Sequence, residues 1–284
     1  MSKRKPRKRR KSQSSNTRKP KALIDVIVPF YGEIELAKEA IASVPDACGD
    51  IAYNLIIVDN GSPDGVGRNL FEHLEQENVD FKKIWLKQNQ GYPGGVNAGV
   101  HACDAPLIFL LTADVVMDPG SIVAAVQEMD NPEVGLVGCK LRFPESSPHG
   151  EAGKIQHAGL AMGLNGNVFH IFIGWSADHP KVNVKRDMFA MTGAAFMTRR
   201  QIFMKIGGMN VAYGTGTFED VEYCLHVKAA KKKVRYVPEV SGTHHVGGSI
   251  AFGANPAGFA LGQNQSLFEA RMSWAFEWDE WRYW

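Results

Sequence analysis

Short apolar runs alternate with amphipathic stretches through the first half of this 284-residue chain, and turn-forming clusters separate them. Residues 23–28 are almost wholly apolar and stop at Pro29, as a buried strand would. Residues 33–44 follow with Ile34, Ala37, Ala40, Ile41 and Val44 at helical spacing. A second strand is predicted over 53–58, halted by Asp59-Asn60-Gly61-Ser62-Pro63, a dense turn signal. Val66, Leu70, Phe71 and Leu74 mark a second helix, 81–86 a third strand, and 94–103 a third helix behind a Gly-rich entry. A fourth strand over 107–111 leads to a helix opened by Asp118-Pro119, an N-cap with proline at the first helical position. Four strand–helix units in about a hundred residues predict an α/β fold: a Rossmann-like, mostly parallel central sheet with helices on both faces. Ligands of such sheets bind beyond the C-terminal ends of the strands.

After the apolar stretch 134–141 the rhythm changes. Residues 142–187, rich in Gly, His and Pro, read as irregular strands and loops. Strand is expected again over 188–197 and 234–237, and helix over 199–206 and 219–230. Residues 251–263 read as a flexible Gly/Ala loop, and 265–284 as a helix carrying Trp274, Trp278, Trp281 and Trp284. The expected division is therefore a basic tail over 1–21, a domain over 22–250, and a C-terminal loop and aromatic-rich helix over 251–284.

Composition sharpens this division. Eleven of the 32 Lys and Arg lie in residues 1–21, which hold no acid, so the rest of the chain carries −9 although the whole carries +2. A tail of that kind has nothing apolar to bury and is expected to be disordered. Its cations fit an anionic membrane surface or a nucleic acid. Cys48, Cys103, Cys139 and Cys224 have neither paired nor metal-type spacing, which fits reduced thiols in a cytoplasmic compartment. No stretch reaches the roughly 18 apolar residues of a membrane span, so any membrane contact is expected to be peripheral.

Candidate chemistry gathers on the predicted binding edge. Tyr31, just past Pro29, could face a nucleobase, and Asp59 could accept its imide N–H; Asp59-Asn60-Gly61 also makes a good turn by itself. Asn89-Gln90-Gly91-Tyr92-Pro93-Gly94-Gly95-Val96-Asn97 would let backbone approach a ligand, though it matches neither the dinucleotide pattern nor the P-loop. Asp114 ends the fourth strand behind Thr112-Ala113. One aspartate can hold Mg²⁺ or Mn²⁺ when a diphosphate supplies further oxygens. Glu219 and Asp220 sit where Thr217 and Asp220 would form a capping box. The helix dipole there would keep Asp220 ionised, as a general base must be. His244-His245 follows the last predicted strand and could complete a metal shell; the other seven histidines carry no signal.

These pieces, in this order, resemble the family 2 glycosyltransferases of the GT-A fold, in particular their rhamnosyltransferase-like branch, over about residues 22–250. Val28-Pro29-Phe30-Tyr31, Val58-Asp59-Asn60-Gly61-Ser62, Asn89-x-Gly91, Gly95-x-Asn97-x-Gly99, Leu110-Leu111-Thr112-Ala113-Asp114, Glu219-Asp220-Val221-Glu222-Tyr223-Cys224 and His244-His245 carry the resemblance. Gly32 stands where that family has Asn, and Thr112 where it has the first acid of its metal motif. The resemblance implies an inverting glycosyltransferase using a UDP-sugar or dTDP-sugar, with hexose or rhamnose as the sugar, in polysaccharide biosynthesis. Pro29, Tyr31, Asp59 and Gly61 would hold the nucleobase, and Asn89, Gly91 and Asn97 would line the nucleotide-sugar pocket. Thr112 and Ala113 would flank Asp114, which with His244 or His245 would bind Mn²⁺ or Mg²⁺. Asp220, beside Glu219, would deprotonate a hydroxyl of a glycan, lipid-linked or protein acceptor. Two other readings stand beside it: a catalytically silent GT-A binding module, and a nucleic-acid-binding protein acting through the tail.

Overall fold

The computed structural model describes residues 21–63, 65–245 and 261–283. The expectations for the tail over 1–20, for the loop over 251–260 and for Trp284 lie outside these. Among the described residues no helix is long and apolar enough to cross a membrane.

Four parallel strands form one half of the main sheet, in the order β3 (Lys82–Trp85), β2 (Tyr53–Asp59), β1 (Ile24–Phe30), β4 (Leu107–Leu111). All seven residues of β1 are buried, because the sheet is covered on both faces. Pleating sends Val26 and Val28 into one core with Ala37, Ile41 and Val44 of α1 (Ile34–Cys48) and Leu70 of α2 (Val66–Gln76). It sends Ile27 into the other core with Val96 and Val100 of α3 (Gly91–His101). Mixed pairing extends the sheet beyond β4. There β11 (Ala195–Arg199) runs antiparallel between β4 and β6 (Val134–Arg142), and β12 (Lys233–His244) lies parallel to β6. The short strand β10 (Arg186–Asp187) closes that edge, and β5 (Val115–Met117) pairs with the end of β12. Residues 142–187 contribute only three-residue strands besides β10, namely β7 (Ile155–His157), β8 (Leu160–Met162) and β9 (Val168–His170).

Several expected boundaries move, each for a local reason. Asp118 does not cap the fourth helix: α4 (Ser121–Met129) starts after Gly120 in a left-handed conformation, with φ 74°. The Asp118 carboxylate instead takes both hydrogen bonds of Arg142 Nη2, at 2.6 and 2.8 Å, and one from Ser241 Oγ. Strand does not run over 188–197. Residues 188–191 are buried outside any regular strand, with a single bridge between Ala190 and Leu160 and with Met191 against Gly138 of β6, so their apolar character reflects burial more than ladder pairing. β12 is far longer than 234–237 and absorbs Pro238 in a register shift between Tyr236 and Ser241, where no ladder donor is needed.

The last helices are α5 (Arg200–Ile206), α6 (Glu219–Ala229) and α7 (Leu261–Met272). Helix does not continue to the C-terminus as expected. The main chain of Asp279 donates to Met162 O, and Met162 N donates to the Asp279 carboxylate, so the segment follows β8 instead. Phe268 is buried between Phe218 and Phe276, whereas Trp274, Trp278 and Trp281 are exposed.

Candidate active site

The C-terminal ends of β1, β2 and β4 and the N-termini of α3 and α6 meet at one edge of the sheet. Two hydrogen bonds hold the first two loops together: Asn60 N donates to Phe30 O, and Gly32 N to the Ser62 hydroxyl oxygen. Asn60 then acts as a hub. Its Nδ2 donates to Asn89 Oδ1 at 3.1 Å and to Gly91 O at 3.0 Å, while its Oδ1 accepts from Gln90 N at 3.1 Å. Gly61 is needed for approach as well as for its φ of +76°, since a Cβ would fall 2.3 Å from the Gln88 carbonyl carbon. The result is a pocket of about 80 Å³ lined by Pro29, Phe30, Tyr31, Asn60, Asn89, Gly91, Tyr92 and Thr215. A larger cavity of about 730 Å³ opens at the opposite edge, where β1 and β2 begin. Its buried acid, Asp25, is fully engaged by Asn54 Nδ2 and the Asp104 and Ala105 N–H groups, so it braces the fold.

Of the expected base-side residues, Pro29, Tyr31, Asn89 and Gly91 line this pocket. Asp59 does not: it is buried, its Oδ1 accepts from Ser62 N at 2.8 Å, and Gly67 lies against its Oδ2. Asn97 is also occupied elsewhere, with both polar side-chain atoms bonded to the main chain of Met209. Sequence reasoning passed over Asn60 because an Asx-Gly pair is accounted for by the turn alone.

Next to this pocket stand the acids. Tyr92, in the first turn of α3, donates its hydroxyl to Gly193 O. Burial pushes that phenol well up, and Glu219, Asp220 and Asp114 add to the effect, so all three acids lie within electrostatic reach of it. Gly193 N in turn donates to Asp220 Oδ2 at 2.7 Å, and Val221 N to Asp220 Oδ1 at 2.8 Å. The expected capping box is absent. Phe218 occupies the cap position with φ 71° and no side-chain bond, and Thr217 before it has φ 81°. The helix dipole does not keep Asp220 at its ordinary pKa either: burial raises it, against the lowering by Gly193 and Val221 N–H. Glu219 is raised further, by burial and then by Asp220, and its Oε2 has no hydrogen-bond partner among the described residues.

Beyond Tyr92 lies Asp114. Burial opposes its ionisation, but the hydrogen bond and charge of His244, with the Thr112 hydroxyl, hold its carboxyl below the usual range. His244 Nε2 is 3.5 Å from Asp114 Oδ1, and its Nδ1 faces Gln156 Oε1 at 3.3 Å. His245 enters through its main-chain N–H, which donates to Asp114 O at 2.8 Å. Thr112 is tied to Ala194 O through both its N–H and its hydroxyl. Among the described residues no group of three or more His, Cys, Asp or Glu side chains is arranged to hold a metal. The pair Asp114 and His244 still offers a carboxylate oxygen and an imidazole nitrogen, a donor set that suits Mn²⁺ or Mg²⁺ when a ligand's oxygens complete the shell.

A model of glycosyl transferase family 2 matches residues 25–207, most of the chain. This chain belongs to that family. Its relatives include the uncharacterized protein y4gI of Sinorhizobium fredii (strain NBRC 101917 / NGR234), 27% identical over 228 residues, covering 78% of this chain and 24% of that protein. The O-antigen biosynthesis protein RfbC of Myxococcus xanthus is 28% identical over 243 residues, covering 82% of this chain and 18% of its own length. The chain thus spans a quarter or less of the curated relatives it matches. Among solved structures, the mannosyltransferase PcManGT of Pyrobaculum calidifontis, in complex with GDP-Man and Mn²⁺, superposes with a TM-score of 0.57 at 17% identity. That match covers 79% of this chain and 57% of that one. GalNAc-T7 with UDP, GalNAc and Mn²⁺ gives 0.62 at 13% identity, covering 78% and 44%. At these identities the likeness carries the fold, which is the expected GT-A type.

The family match ends at residue 207, so Glu219, Asp220 and His244 fall outside it and stand on this chain's geometry. Two histidines that the sequence left without a role belong to that geometry. Thr192 N donates to His157 Nε2 at 3.4 Å, which leaves the proton of His157 on Nδ1, facing His170 Nδ1 at 2.9 Å. Burial pushes both imidazoles down, His170 to about 4, so the pair is neutral near pH 7. It braces Thr192, the neighbour of the Gly193 that holds Asp220. No periodicity marks such a pair, because 35 residues separate His157 from Thr192.

Proposed function

We propose that this chain is an inverting glycosyltransferase that moves a hexosyl or rhamnosyl group from a nucleoside-diphosphate sugar to an acceptor hydroxyl. The observation that carries this reading is that Tyr92 belongs both to the pocket of Asn60, Asn89 and Thr215 and to the cluster of Asp114, Glu219 and Asp220. The pocket takes the nucleotide, with Tyr31 against the base. Asp220, aimed by the Gly193 and Val221 N–H groups, takes the acceptor proton as the new bond forms at the anomeric carbon. Glu219, kept protonated by burial, leaves the charge on Asp220. A divalent cation held by Asp114 and His244 would neutralise the departing diphosphate as a Lewis acid. Direct displacement of this kind needs no covalent enzyme intermediate, and the sugar inverts.

The Mn²⁺, GDP-Man and UDP of the structural neighbours support a metal-dependent nucleotide-sugar donor, and the O-antigen relative supports a glycan or lipid-linked acceptor. We take residues 22–250 as the catalytic unit, served by the C-terminal segment, and UDP or dTDP as the nucleotide. The test is a panel of nucleotide-sugars assayed for release of nucleoside diphosphate with Mn²⁺ or Mg²⁺. Release from one donor, abolished by a chelator, is expected. Tight binding without release or transfer from any donor would replace this reading with a binding module.

A further inference from the structure

The loop over 214–218 joins the two halves of the site. At one end Thr215 lines the pocket, and its carbonyl accepts from Tyr92 N at 3.4 Å. At the other, Phe218 leads directly into Glu219 and Asp220. The loop's backbone is one a β-branched or aromatic residue rarely adopts: Gly214, Gly216, Thr217 and Phe218 have φ of 62°, 136°, 81° and 71°. Such a conformation persists only when something outside the loop holds it.

Asn264, near the start of α7, meets that need. It is 6% exposed. Its Nδ2 lies 3.0 Å from Tyr213 O, 2.7 Å from Gly216 O, 3.4 Å from Thr217 O and 3.0 Å from Thr217 Oγ1. Two N–H bonds thus point into a curl of oxygen acceptors whose carbonyls the left-handed turn has gathered. Four residues on, Phe268 stacks on Phe218 at 5.1 Å. One turn later the Arg271 guanidinium pairs with the buried Glu222 of α6 at 2.9 Å. The same helix therefore grips the loop by a polar hook, the loop's end by an aromatic stack, and α6 by an ion pair.

We infer that Asn264 is a positioning residue: it holds the loop over 214–218 so that the nucleotide pocket and the Asp220 carboxylate form together. This rests on the reading of Asp220 as the base of sugar transfer. Asn264 touches neither donor nor acceptor and acts through the loop. It lies in the C-terminal segment, beyond residues 25–207 matched by the family model.

The test compares Asn264→Ala and Asn264→Asp in the full chain, with the neighbouring, only partly exposed Gln265→Ala as control. Asn264→Asp keeps the shape but turns a donor into an acceptor facing other acceptors. Thermal melts and circular dichroism give the folded fraction. Amide exchange over 214–218, calorimetric binding of UDP and dTDP with Mn²⁺, and kcat and KM on the folded fraction give the function. For both Asn264 variants, loop exchange is expected to quicken about tenfold as local opening becomes easier. kcat should fall about tenfold to a hundredfold, as misplacement of a reacting group by about an ångström can do. Nucleoside-diphosphate binding should weaken, Asn264→Asp should be the worse of the two, and Gln265→Ala should match the wild type. A purely structural role would lower the melting temperature and leave kcat per folded molecule unchanged. Unchanged loop exchange, with affinity and kcat within twofold of wild type in Asn264→Ala, overturns the inference. If the wild type transfers no sugar, loop exchange and nucleotide binding still judge the hook, and only the transfer reading falls.

Discussion

Replacing Asp220 by asparagine removes the proposed base while keeping its size. In the wild type each carboxylate oxygen accepts one main-chain N–H, from Gly193 at 2.7 Å and Val221 at 2.8 Å. An amide can satisfy only one of these and must turn its NH₂ toward the other. Losing one hydrogen bond to a charged group costs about 1.5–3 kcal/mol. Burial already disfavours the ionised carboxylate, however, and a neutral amide escapes that cost. The net change in stability is therefore expected to stay below about 2 kcal/mol, a shift of a few degrees in Tm. Catalysis should suffer far more. General-base loss costs about 10²–10⁴-fold in rate, which is about 2.7–5.5 kcal/mol of barrier at about 1.36 kcal/mol per tenfold. The assay is kcat against pH with the donor found in the panel. Wild-type rate should climb as Asp220 loses its proton, and burial places that climb above the ordinary aspartate pKa of 3.8. The variant should bind nucleoside diphosphate normally and lack the climb. A folded Asp220→Asn enzyme within threefold of wild type, or one that keeps the same acidic limb, removes Asp220 from the role.

Other expectations follow from the same geometry. Gly91→Ala forces a side chain into φ +71° and sets its Cβ 1.6 Å from Gly214 O. Strain and crowding together should cost about 2–4 kcal/mol, so Tm should drop by roughly 5–15 °C; an unchanged melt with intact nucleotide binding would show that the loop yields freely. Glu219→Gln tests the buried acid through stability. The folded pKa of Glu219 is raised, so the native state holds a proton that the unfolded chain releases above the ordinary 4.5. Wild-type stability should then decline as pH climbs from 4.5 toward the raised value, and the variant should lose that slope. A Tm difference between the two that stays flat from pH 4.5 to 8 would contradict the argument.

The parallel half of the sheet was legible because its signals are local. Apolar runs such as Ile24–Phe30 end in Pro or in Asx-Gly clusters, and the intervening helices carry their apolar residues at helical spacing. Failures came where burial and pairing separate: the run over 188–191 is apolar yet folds as a loop on Gly138. They came also where a side chain has a stronger distant partner than its local one. Asp118 serves Arg142 and Ser241 rather than a helix N-terminus, and Asn97 serves Met209 rather than the pocket. Asp114, Glu219, Asp220 and His244 were expected at this edge from residue type and position, and the fold brings them there. Asn60, Tyr92, His157, His170 and Asn264 could not be, since their roles depend on main-chain groups 30 to 101 residues away or on bonds made only in the folded chain.

What the chain's sequence determined by itself was the succession of strands and helices, hence a sheet whose C-terminal edge collects Pro29, Asn89, Asp114 and the loop before α6. Periodicity and turn chemistry act over a few residues and survive without tertiary context. Only the tertiary structure decided the electrostatic state of the acids and the identity of the residues that hold them. Burial beside Tyr92 raised Glu219 and Asp220 against the helix dipole, and His244 lowered Asp114. Desolvation and charge proximity depend on which surfaces are excluded from water, and that is settled only once the chain has closed on itself.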